Sequence, residues 1–324
     1  MKKVIQWTVI LSLVLVAGFF GVVLKATLFD REDGVRDKLR ITAIMPHTDQ
    51  GYWSSVTEGI LAAEKDYSDQ VNVRVELPQL NYNVKQMTEL VNRAVAAKVN
   101  AIIVQGIENE AYLAALQKAA EAGIQVIFVD TDIEDFVPHL YVGTNNLETG
   151  IMLGEKLAAV TQGKAKVAIL SGEENYPNLE QRVTGLKKIS AQYPDIKFLR
   201  LDYDNYDALT VMNKYNLIQE ENPEIDTLIC VEGTGGQTLG SFYAENPGEF
   251  SHILAFDYSE GTIQGIRTGM LDGIVIQDTH EMGYRAVEEA LNLFLNGGYS
   301  ANCIYTDVKW VTSSDLDEEG HYVP

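Results

Sequence analysis

The chain of 324 residues is long enough for two domains with hydrophobic cores of ordinary size. It carries a formal net charge of −21 at pH 7, with a pI near 4.6. A chain this acidic is repelled by phosphate backbones, so the composition argues against nucleic-acid binding and we expect no nucleic-acid partner.

The first residues differ in composition from the rest of the chain. Lys2 and Lys3 precede residues 4–24, which include no charged side chain. A helix crosses a bilayer with ~20 apolar residues, whereas the apolar core of a signal peptide has ~7–15. Because no cleavage site is well marked, we expect an uncleaved membrane anchor, with residues 1–38 forming anchor and linker. Lipid attachment beside the anchor is excluded, since the first cysteine is Cys230.

From residue 39 onward, apolar runs of strand length alternate with helix-like segments. The predicted strands are 39–45, 71–77, 100–105, 125–130, 139–143, 165–170, 196–201, 226–231, 252–256, 272–277 and 304–311. The predicted helices include 54–67, 84–97, 110–122, 147–161, 179–192, 207–221 and 281–296. Apolar strands separated by helices indicate parallel sheets covered on both faces. The pattern restarts near residue 165, which predicts an α/β fold of two doubly wound parallel-sheet lobes.

Two aromatic residues follow the first predicted strand, in the segment TDQGYWSSVTEG (48–59). Loops carry binding residues more often than regular elements do. We interpret Tyr52 and Trp53 as platforms on which the apolar C–H face of a sugar ring packs; the alternative is that both rings close the top of the core. A platform is only partly packed, so truncation of Trp53 would then weaken binding with little loss of stability.

Polar side chains stand at the carboxyl ends of the predicted strands, where open parallel sheets bind their ligands. This set is rich in carboxylates and carboxamides and consists of Gln105, Asp130, Thr144, Ser171, Asp202, Glu232, Asp257 and Gln277. Carboxylates accept hydroxyl hydrogens and carboxamides both donate and accept, which suits a polyhydroxylated neutral molecule. For any single member, capping of a local element is the alternative.

Patterns typical of enzymes, metal sites and nucleotide sites do not occur. The glycines of GTGGQTLG (233–240) do not fit G-x-G-x-x-G, and the acidic run 130–135 lacks the Gly and Glu positions of a calcium loop. The histidines match no H-E-x-x-H pattern, no G-x-S-x-G elbow exists, and Cys230 and Cys303 match no metal spacing. We therefore expect a non-enzymatic protein with neither cofactor nor metal.

Several segments occur together in one order: TDQGYWSSVTEG, VDTD (129–132), EQRVTGL (180–186), LDYDNYDALTVM (201–212), AFDYSEGTIQGIRTGML (255–271) and IQDTHEMGYRAVE (276–288). Over residues 39–311 the chain resembles the periplasmic sugar-binding proteins of the ribose/galactose type, whose fold is shared by the core of LacI-type repressors. The resemblance implies a set of ligand-binding residues, namely Gln50, Tyr52, Trp53, Asp130, Arg182, Tyr203, Glu232, Asp257 and Gln277.

Two positions depart from the family's pattern. Thr131 stands where the family commonly has Arg, which removes a fork of hydrogen-bond donors. Glu232 stands where the family often has Asn, and a carboxylate there suits an additional hydroxyl donor or an amino group on the ligand. A repressor is excluded, because an apolar span occupies the place of its helix-turn-helix.

The resemblance also implies a hinge between two lobes. The expected lobes are 39–145 with 279–304 and 146–278 with 305–324. The expected chain crossovers of the hinge are near Asn145-Asn146, Asp257 and Asp278.

The implied function is that of an extracytoplasmic receptor for a sugar, with a non-sugar polar ligand as the alternative. The Lys and Arg count around the anchor does not itself favour export, so this location rests on the resemblance. We expect a protein anchored at the cell membrane, or a secreted or periplasmic one if the anchor is cleaved. The partner of the closed form is either an ABC permease, for import, or a sensor kinase or chemoreceptor, for sensing.

Overall fold

The computed structural model describes residues 38–46, 51–136, 138–243, 248, 250–297 and 302–322. The chain divides into the units Met1–Lys38 and Leu39–Pro324, and the fold below is that of the second. The predicted anchor, residues 4–24, lies outside the described residues. Within the described part of the chain, no helix is long and apolar enough to cross a membrane.

The described strands and helices alternate along the chain. The strands are Leu39–Ile44 (β1), Val71–Glu76 (β2), Ala101–Gln105 (β3), Gln125–Val129 (β4), Leu140–Gly143 (β5), Lys164–Ser171 (β6), Asp195–Tyr203 (β7), Thr227–Cys230 (β8), His252–Phe256 (β9), Gly273–Gln277 (β10), Cys303–Tyr305 (β11) and Val308–Val311 (β12). The α-helices are Tyr52–Asp66 (α1), Val84–Ala96 (α2), Glu110–Glu121 (α3), Asn146–Val160 (α4), Pro177–Lys187 (α5), Ala208–Glu221 (α6), Gly233–Phe242 (α7), Glu260–Thr268 (α8) and Thr279–Asn296 (α9).

The first sheet has the strand order β11-β5-β4-β3-β1-β2, and its pairings are parallel. Helices α1 and α9 contribute to the core on one of its faces, and α2 and α3 to the core on the other. Its central strand β3 is buried along its whole length. Burial on both faces explains why the strand sequences are almost continuously apolar.

The second sheet has the order β12-β10-β9-β8-β6-β7 and is parallel except at its edge, where β12 runs antiparallel to β10. Helices α4 and α5 pack against one face, and α6, α7 and α8 against the other. The prediction of an α/β fold with two parallel-sheet lobes is confirmed.

Consecutive described strands change sheet three times, from β5 to β6, from β10 to β11 and from β11 to β12. The prediction of one strand over 304–311 is therefore wrong. The Thr306 N–H donates to the Gly143 carbonyl at 2.9 Å, whereas the Asp307 carbonyl accepts from the Asp278 N–H at 3.0 Å. The chain therefore passes from the first sheet to the second at these two residues. The spacing of apolar residues along the sequence does not indicate this passage.

The crossover expected near Asp257 is also wrong, because β9 and β10 on either side of it pair within the second sheet. The third crossover is instead the passage from β11 to β12. Tyr305 pairs with Gly143 in the first sheet, one residue beyond the expected change of lobe between 304 and 305.

Glycines bring two helix pairs into close contact. A Cβ atom at Gly59 of α1 would overlap the carbonyl oxygen of His280, and one at Gly283 of α9 would overlap that of Val56. In the second lobe, a Cβ atom at Gly150 of α4 would overlap the carbonyl oxygen of α5 at Arg182. The absence of a side chain at these positions therefore allows the backbones of α1 and α9, and those of α4 and α5, to approach closely.

Candidate ligand-binding site

A cavity of about 660 Å³ is lined by residues of both lobes at the carboxyl ends of their strands. Gln105 ends β3 and Asp130 follows β4, while the second lobe contributes Glu232 after β8, Asp257 after β9 and Gln277 at the end of β10. The strand-end rule for open parallel sheets therefore locates the cavity correctly.

Three hydrogen bonds fix the carboxylate of Asp130. Its Oδ1 accepts from the Tyr52 hydroxyl at 2.6 Å, and its Oδ2 accepts from Gln105 Nε2 at 2.9 Å and from Thr131 Oγ1 at 2.6 Å. Burial and the nearby Asp130 carboxylate raise the pKa of Tyr52, so its hydroxyl stays protonated and remains a donor. Asp130 is thus a pre-oriented acceptor on the cavity wall.

Asp257 occupies the equivalent position in the second lobe. Its N–H donates to the carbonyl of Val275 at 2.7 Å, as the Asp130 N–H donates to that of Val142 at 3.3 Å. Both aspartates have left-handed backbones, with φ of 65° at Asp257 and 67° at Asp130. The two lobes therefore present a carboxylate in the same way, from a residue that turns sharply away from its strand.

The side chain of Asp257 is held by its neighbour on the next strand. Its Oδ1 accepts from Gln277 Nε2 at 2.8 Å. Removal from bulk water raises the pKa of Asp257 to about 6, against the opposing effect of the Arg182 guanidinium and the Gln277 hydrogen bond. Asp257 is therefore ionised at neutral pH and becomes protonated in mildly acidic solution.

Arg182 projects from α5 into the same cavity and is only 2% exposed. Its Nε donates to Asn146 Oδ1 at 2.8 Å, its Nη1 to the Val231 carbonyl at 2.9 Å and its Nη2 to Gln277 Oε1 at 2.9 Å. The guanidinium carbon lies 4.3 Å from the ring centroid of Phe256. The planar fork thus connects the start of α4, the end of β8 and the end of β10.

Glu232 caps helix α7 from the cavity wall. Its Oε1 accepts from the Gly235 N–H at 2.6 Å and its Oε2 from the Thr234 N–H at 2.7 Å. Behind it lies Asp204, which is fully buried and whose Oδ1 accepts from the Tyr206 N–H at 2.9 Å. Burial, together with the Glu232 carboxylate, raises the pKa of Asp204 to about 9. Asp204 therefore carries a proton at neutral pH.

The Asp204→Asn variant is expected to be more stable than the wild-type protein at pH 8, by at least about 1 kcal/mol, the size of one pKa unit. The folded-state pKa of Asp204 lies above its ordinary value of 3.8. Wild-type stability therefore falls as the pH rises from about 4 to about 9, because the unfolded chain releases this proton first. An amide keeps the neutral form at every pH, so urea unfolding at pH 5 and pH 8 should show the gain growing with pH.

The matched control is Asp207→Asn, which removes the charge of an exposed carboxylate that caps α6 and whose pKa is lowered by hydrogen bonds from Thr210. This variant should lose stability at pH 8 rather than gain it. An Asp204→Asn protein that is less stable than wild type at pH 8 would contradict the protonated state.

Tyrosines form the aromatic part of the cavity wall. Tyr82 of the first lobe and Tyr206 of the second stack with ring centroids 5.8 Å apart, and Tyr176 packs edge-on against Tyr206 at 6.0 Å. All three line the cavity. The Tyr82–Tyr206 stack therefore joins the walls that the two lobes contribute.

The interpretation of Tyr52 and Trp53 as loop residues is wrong, because α1 begins at Tyr52 and includes both. Trp53 lines the cavity but is only 3% exposed, packs in the core of the first lobe and donates from Nε1 to the Tyr82 hydroxyl at 3.0 Å. Tyr52 is half-buried and orients Asp130. The expectation that Trp53 is only partly packed is therefore wrong.

The predicted Tyr203 is not among the described residues that line the cavity, and Tyr206 is. Asn205 and Tyr206 both have a φ of 55°, so the backbone turns at these two left-handed residues, and the second tyrosine of the segment 201–212 lines the cavity in place of the first. Tyr82 and Tyr176 were also not predicted. No spacing in their segments distinguishes them from the other tyrosines of the chain.

The remaining predicted residues have mixed outcomes. Gln50 lies outside the described residues. The Thr144 hydroxyl donates to Gln277 Oε1 at 2.7 Å and so supports the wall from behind. Asp202 bonds to Arg200 and to Lys214 and, like Ser171, is absent from the described cavity lining.

No group of His, Cys, Asp and Glu among the described residues is arranged to hold a metal ion. Cys230 is a buried free thiol, and Cys303 is an exposed one. Burial raises the pKa of the Cys230 thiol, which keeps it protonated.

A sequence profile described as a periplasmic binding protein domain matches residues 41–298, which is most of the chain. The chain belongs to this family. The periplasmic binding protein described here is 22% identical over 254 residues to the D-apiose import binding protein of Actinobacillus succinogenes, covering 77% of this chain and 80% of that protein. It is 22% identical over 247 residues to the D-ribose/D-allose-binding protein of Pseudomonas aeruginosa, covering 74% and 76%.

Solved structures agree with the fold of this periplasmic binding protein. GanP, a glucose-galactose binding protein from Geobacillus stearothermophilus, is similar with a TM-score of 0.80 and 24% identity over 87% of this chain and 99% of GanP. A chain of the XylFII-LytSN complex is similar with a TM-score of 0.76 and 26% identity, covering 86% and 99%.

Proposed function

We propose that this protein is an extracytoplasmic receptor that binds a sugar or sugar-like small molecule between its two lobes. The observation that carries the proposal is the cavity of about 660 Å³ at the strand ends, with a carboxylate from each lobe at equivalent positions. Its volume lies within the range typical of small-molecule sites. The names of the relatives, which include binding proteins for D-apiose, D-ribose and D-allose, support the same ligand class.

The chemistry of the wall supports a polyhydroxylated ligand. Asp130 and Asp257 accept hydrogen bonds from hydroxyl groups, and Gln105 and Gln277 hold both carboxylates in place. The tyrosine rings offer flat apolar faces for the C–H groups of a ring. The proposed action is binding and release, which needs neither catalysis nor a cofactor.

The proposed conformational change is closure of the lobes about the three crossovers. We propose lobes close to 39–145 with 279–304 and 146–278 with 305–324. The Thr306–Asp307 link supports the proposal, because only two residues separate β11 from β12 there. Ligand bound to both lobes stabilises the closed form, which an ABC-type importer then recognises.

Sensing is the second candidate for the use of the closed form. The likeness to a chain of the XylFII-LytSN complex favours it, since the similar protein there is in complex with another protein. The expected anchor at residues 4–24 is compatible with both candidates and forms part of the proposal. Retention of the protein in membranes washed with high salt tests the anchor.

The proposal is tested by a thermal-unfolding screen of the full-length protein in non-ionic detergent. The panel consists of pentoses, hexoses and cyclitols, each with its amino-deoxy counterpart, and of amino acids. A molecule that binds only the folded state adds about 2.7 kcal/mol of stability when its free concentration is 100 times its dissociation constant. We expect a shift with at least one polyhydroxylated compound. A shift with amino acids alone would overturn the proposal.

A further inference from the structure

The charges around the cavity do not balance. Asp130, Glu232 and Asp257 line it together with the exposed Glu260, whereas Arg182 is the only cation among its described lining residues. Even without Glu260, three carboxylates face one guanidinium. The tyrosines of the wall are neutral, since burial raises the pKa of Tyr52, Tyr176 and Tyr206.

Arg182 does not neutralise these carboxylates by direct contact. Within the described part of the chain, its hydrogen bonds go to the carboxamide oxygen of Asn146, the carbonyl of Val231 and the carboxamide oxygen of Gln277, all of them neutral. No ion pair joins it to a lining carboxylate in the described part of the chain. Its charge acts on Asp257 only at longer range.

Two of the carboxylates converge. Glu232 and Asp257 follow the adjacent strands β8 and β9, and Asp257 Oδ2 lies 3.1 Å from the place of a Cβ atom on Gly233, the residue next to Glu232. Glu232 is 4% exposed, and both of its oxygens already accept from the first turn of α7. Each carboxylate oxygen still has a lone pair for a further donor.

A buried acceptor in the wall also lacks a donor. Gln105 lines the cavity and is 4% exposed, and its Oε1 has no hydrogen-bond partner among the described residues. Its Nε2 donates to Asp130 and Thr131, so the oxygen is the free end of the carboxamide. The site thus offers an excess both of acceptors and of negative charge. A neutral polyol donates hydrogen bonds to the acceptors but leaves the negative charge uncompensated.

We propose that the ligand is a polyhydroxylated ring that carries a protonated amino group, and that its ammonium binds between Glu232 and Asp257. This inference rests on the proposed function, because it names the ligand class of the same cavity. Closure of the lobes takes the three carboxylates further out of water, which is unfavourable for uncompensated charge. An ammonium supplies both the missing positive charge and three donors, while the ring hydroxyls bind Asp130 and Gln105.

The test is calorimetric titration of the full-length protein in non-ionic detergent with matched compounds. There is one set each for glucose, galactose and mannose. Each set contains the neutral hexose, its 2-amino-2-deoxy counterpart and the N-acetylated form of that amine, which carries no charge. Pentoses and cyclitols with their amino-deoxy counterparts complete the panel. We expect an amine to bind at least tenfold tighter than its neutral counterpart, with the difference shrinking at high salt.

The preference for the amine over its neutral counterpart should also decrease when the pH is lowered below 6. The pKa of Asp257 is about 6 in the absence of ligand, so its protonation removes one of the two charges that face the ammonium. Asp130, Glu232 and Arg182 are the other charged groups near it. Amine binding therefore weakens relative to neutral-sugar binding as the pH falls from 7.5 to 5.

The variant Glu232→Gln should lower the ratio of amine to neutral affinity at least tenfold, and Asp257→Asn provides a second variant if the first does not fold. The matched control is Asp207→Asn, which alters a helix-capping carboxylate outside the cavity and should leave the ratio unchanged. A neutral compound that binds as tightly as its amine overturns this inference and leaves the proposed function standing. If no compound of the panel binds, both are overturned.

Discussion

The Arg182→Met variant is expected to lose at least about 2 kcal/mol of unfolding free energy. The Asn146 Oδ1 and the Val231 carbonyl would remain buried and lose their donor, at about 1–3 kcal/mol per group, whereas Gln277 Oε1 would keep the hydrogen bond from Thr144. The variant also removes the only described cation that faces Asp130 and Asp257. We therefore expect ligand affinity to change together with stability, because the same side chain connects the start of α4, β8 and β10.

Urea unfolding of wild type and variant measures this loss. Arg74→Met is the matched control, since the Arg74 side chain is 74% exposed and pairs with Glu76 at the surface. Its expected loss is below about 1 kcal/mol. A loss at Arg182 no larger than that at Arg74 would show that the buried guanidinium contributes nothing specific to the fold.

Replacement of Trp53 by alanine is expected to cost about 3–5 kcal/mol of stability, as for other buried tryptophans. The indole is 3% exposed and packs with Tyr52, 5.3 Å between ring centroids, in the core of the first lobe. Because Trp53 also lines the cavity and supports Tyr82, ligand affinity should fall as well. Denaturant titration and calorimetry on the same preparation measure the two effects.

The Trp53→Phe variant is the control that separates packing from the hydrogen bond. It keeps an aromatic ring in the core and removes the Nε1 donor to Tyr82, so its stability loss should be less than half that of the alanine variant. A loss under about 1 kcal/mol for Trp53→Ala would contradict the buried packing. It would favour instead the partly packed platform that the sequence suggested.

Much of the fold could be predicted because each lobe obeys local rules. Strand β3, AIIVQ, is apolar until its last residue, and that residue, Gln105, is the one that lines the cavity. The same rule holds for Asp130, Asp257 and Gln277. The carboxyl ends of parallel strands lie along one edge of the sheet, so the polar residues at these ends are brought to the same edge. Periodicity and strand ends are properties of short segments, so a single sequence contains them.

The errors concern properties that depend on distant parts of the chain. Whether Tyr203 or Tyr206 faces the cavity depends on two successive left-handed residues, which no apolar pattern reports. The burial of Trp53 depends on Tyr82, 29 residues further along. The change of sheet at Thr306 depends on hydrogen bonds to β5 and to the residue after β10, both far away in sequence.

The left-handed backbone of Asp257 sets a conflict between folding and binding. Glycine adopts such a φ without steric cost, whereas another residue there carries backbone strain of about 1–3 kcal/mol. Burial of the Asp257 carboxylate adds to this cost, as its raised pKa indicates. At Asp130 the same exchange is opposed, because the donors of Tyr52, Gln105 and Thr131 would lose their acceptor. A library of variants selected only for thermal resistance would therefore be drawn toward glycine at position 257, and the selected proteins would have lost the carboxylate that the second lobe contributes after β9. Any programme that stabilises this protein for use as a biosensor must keep this codon fixed.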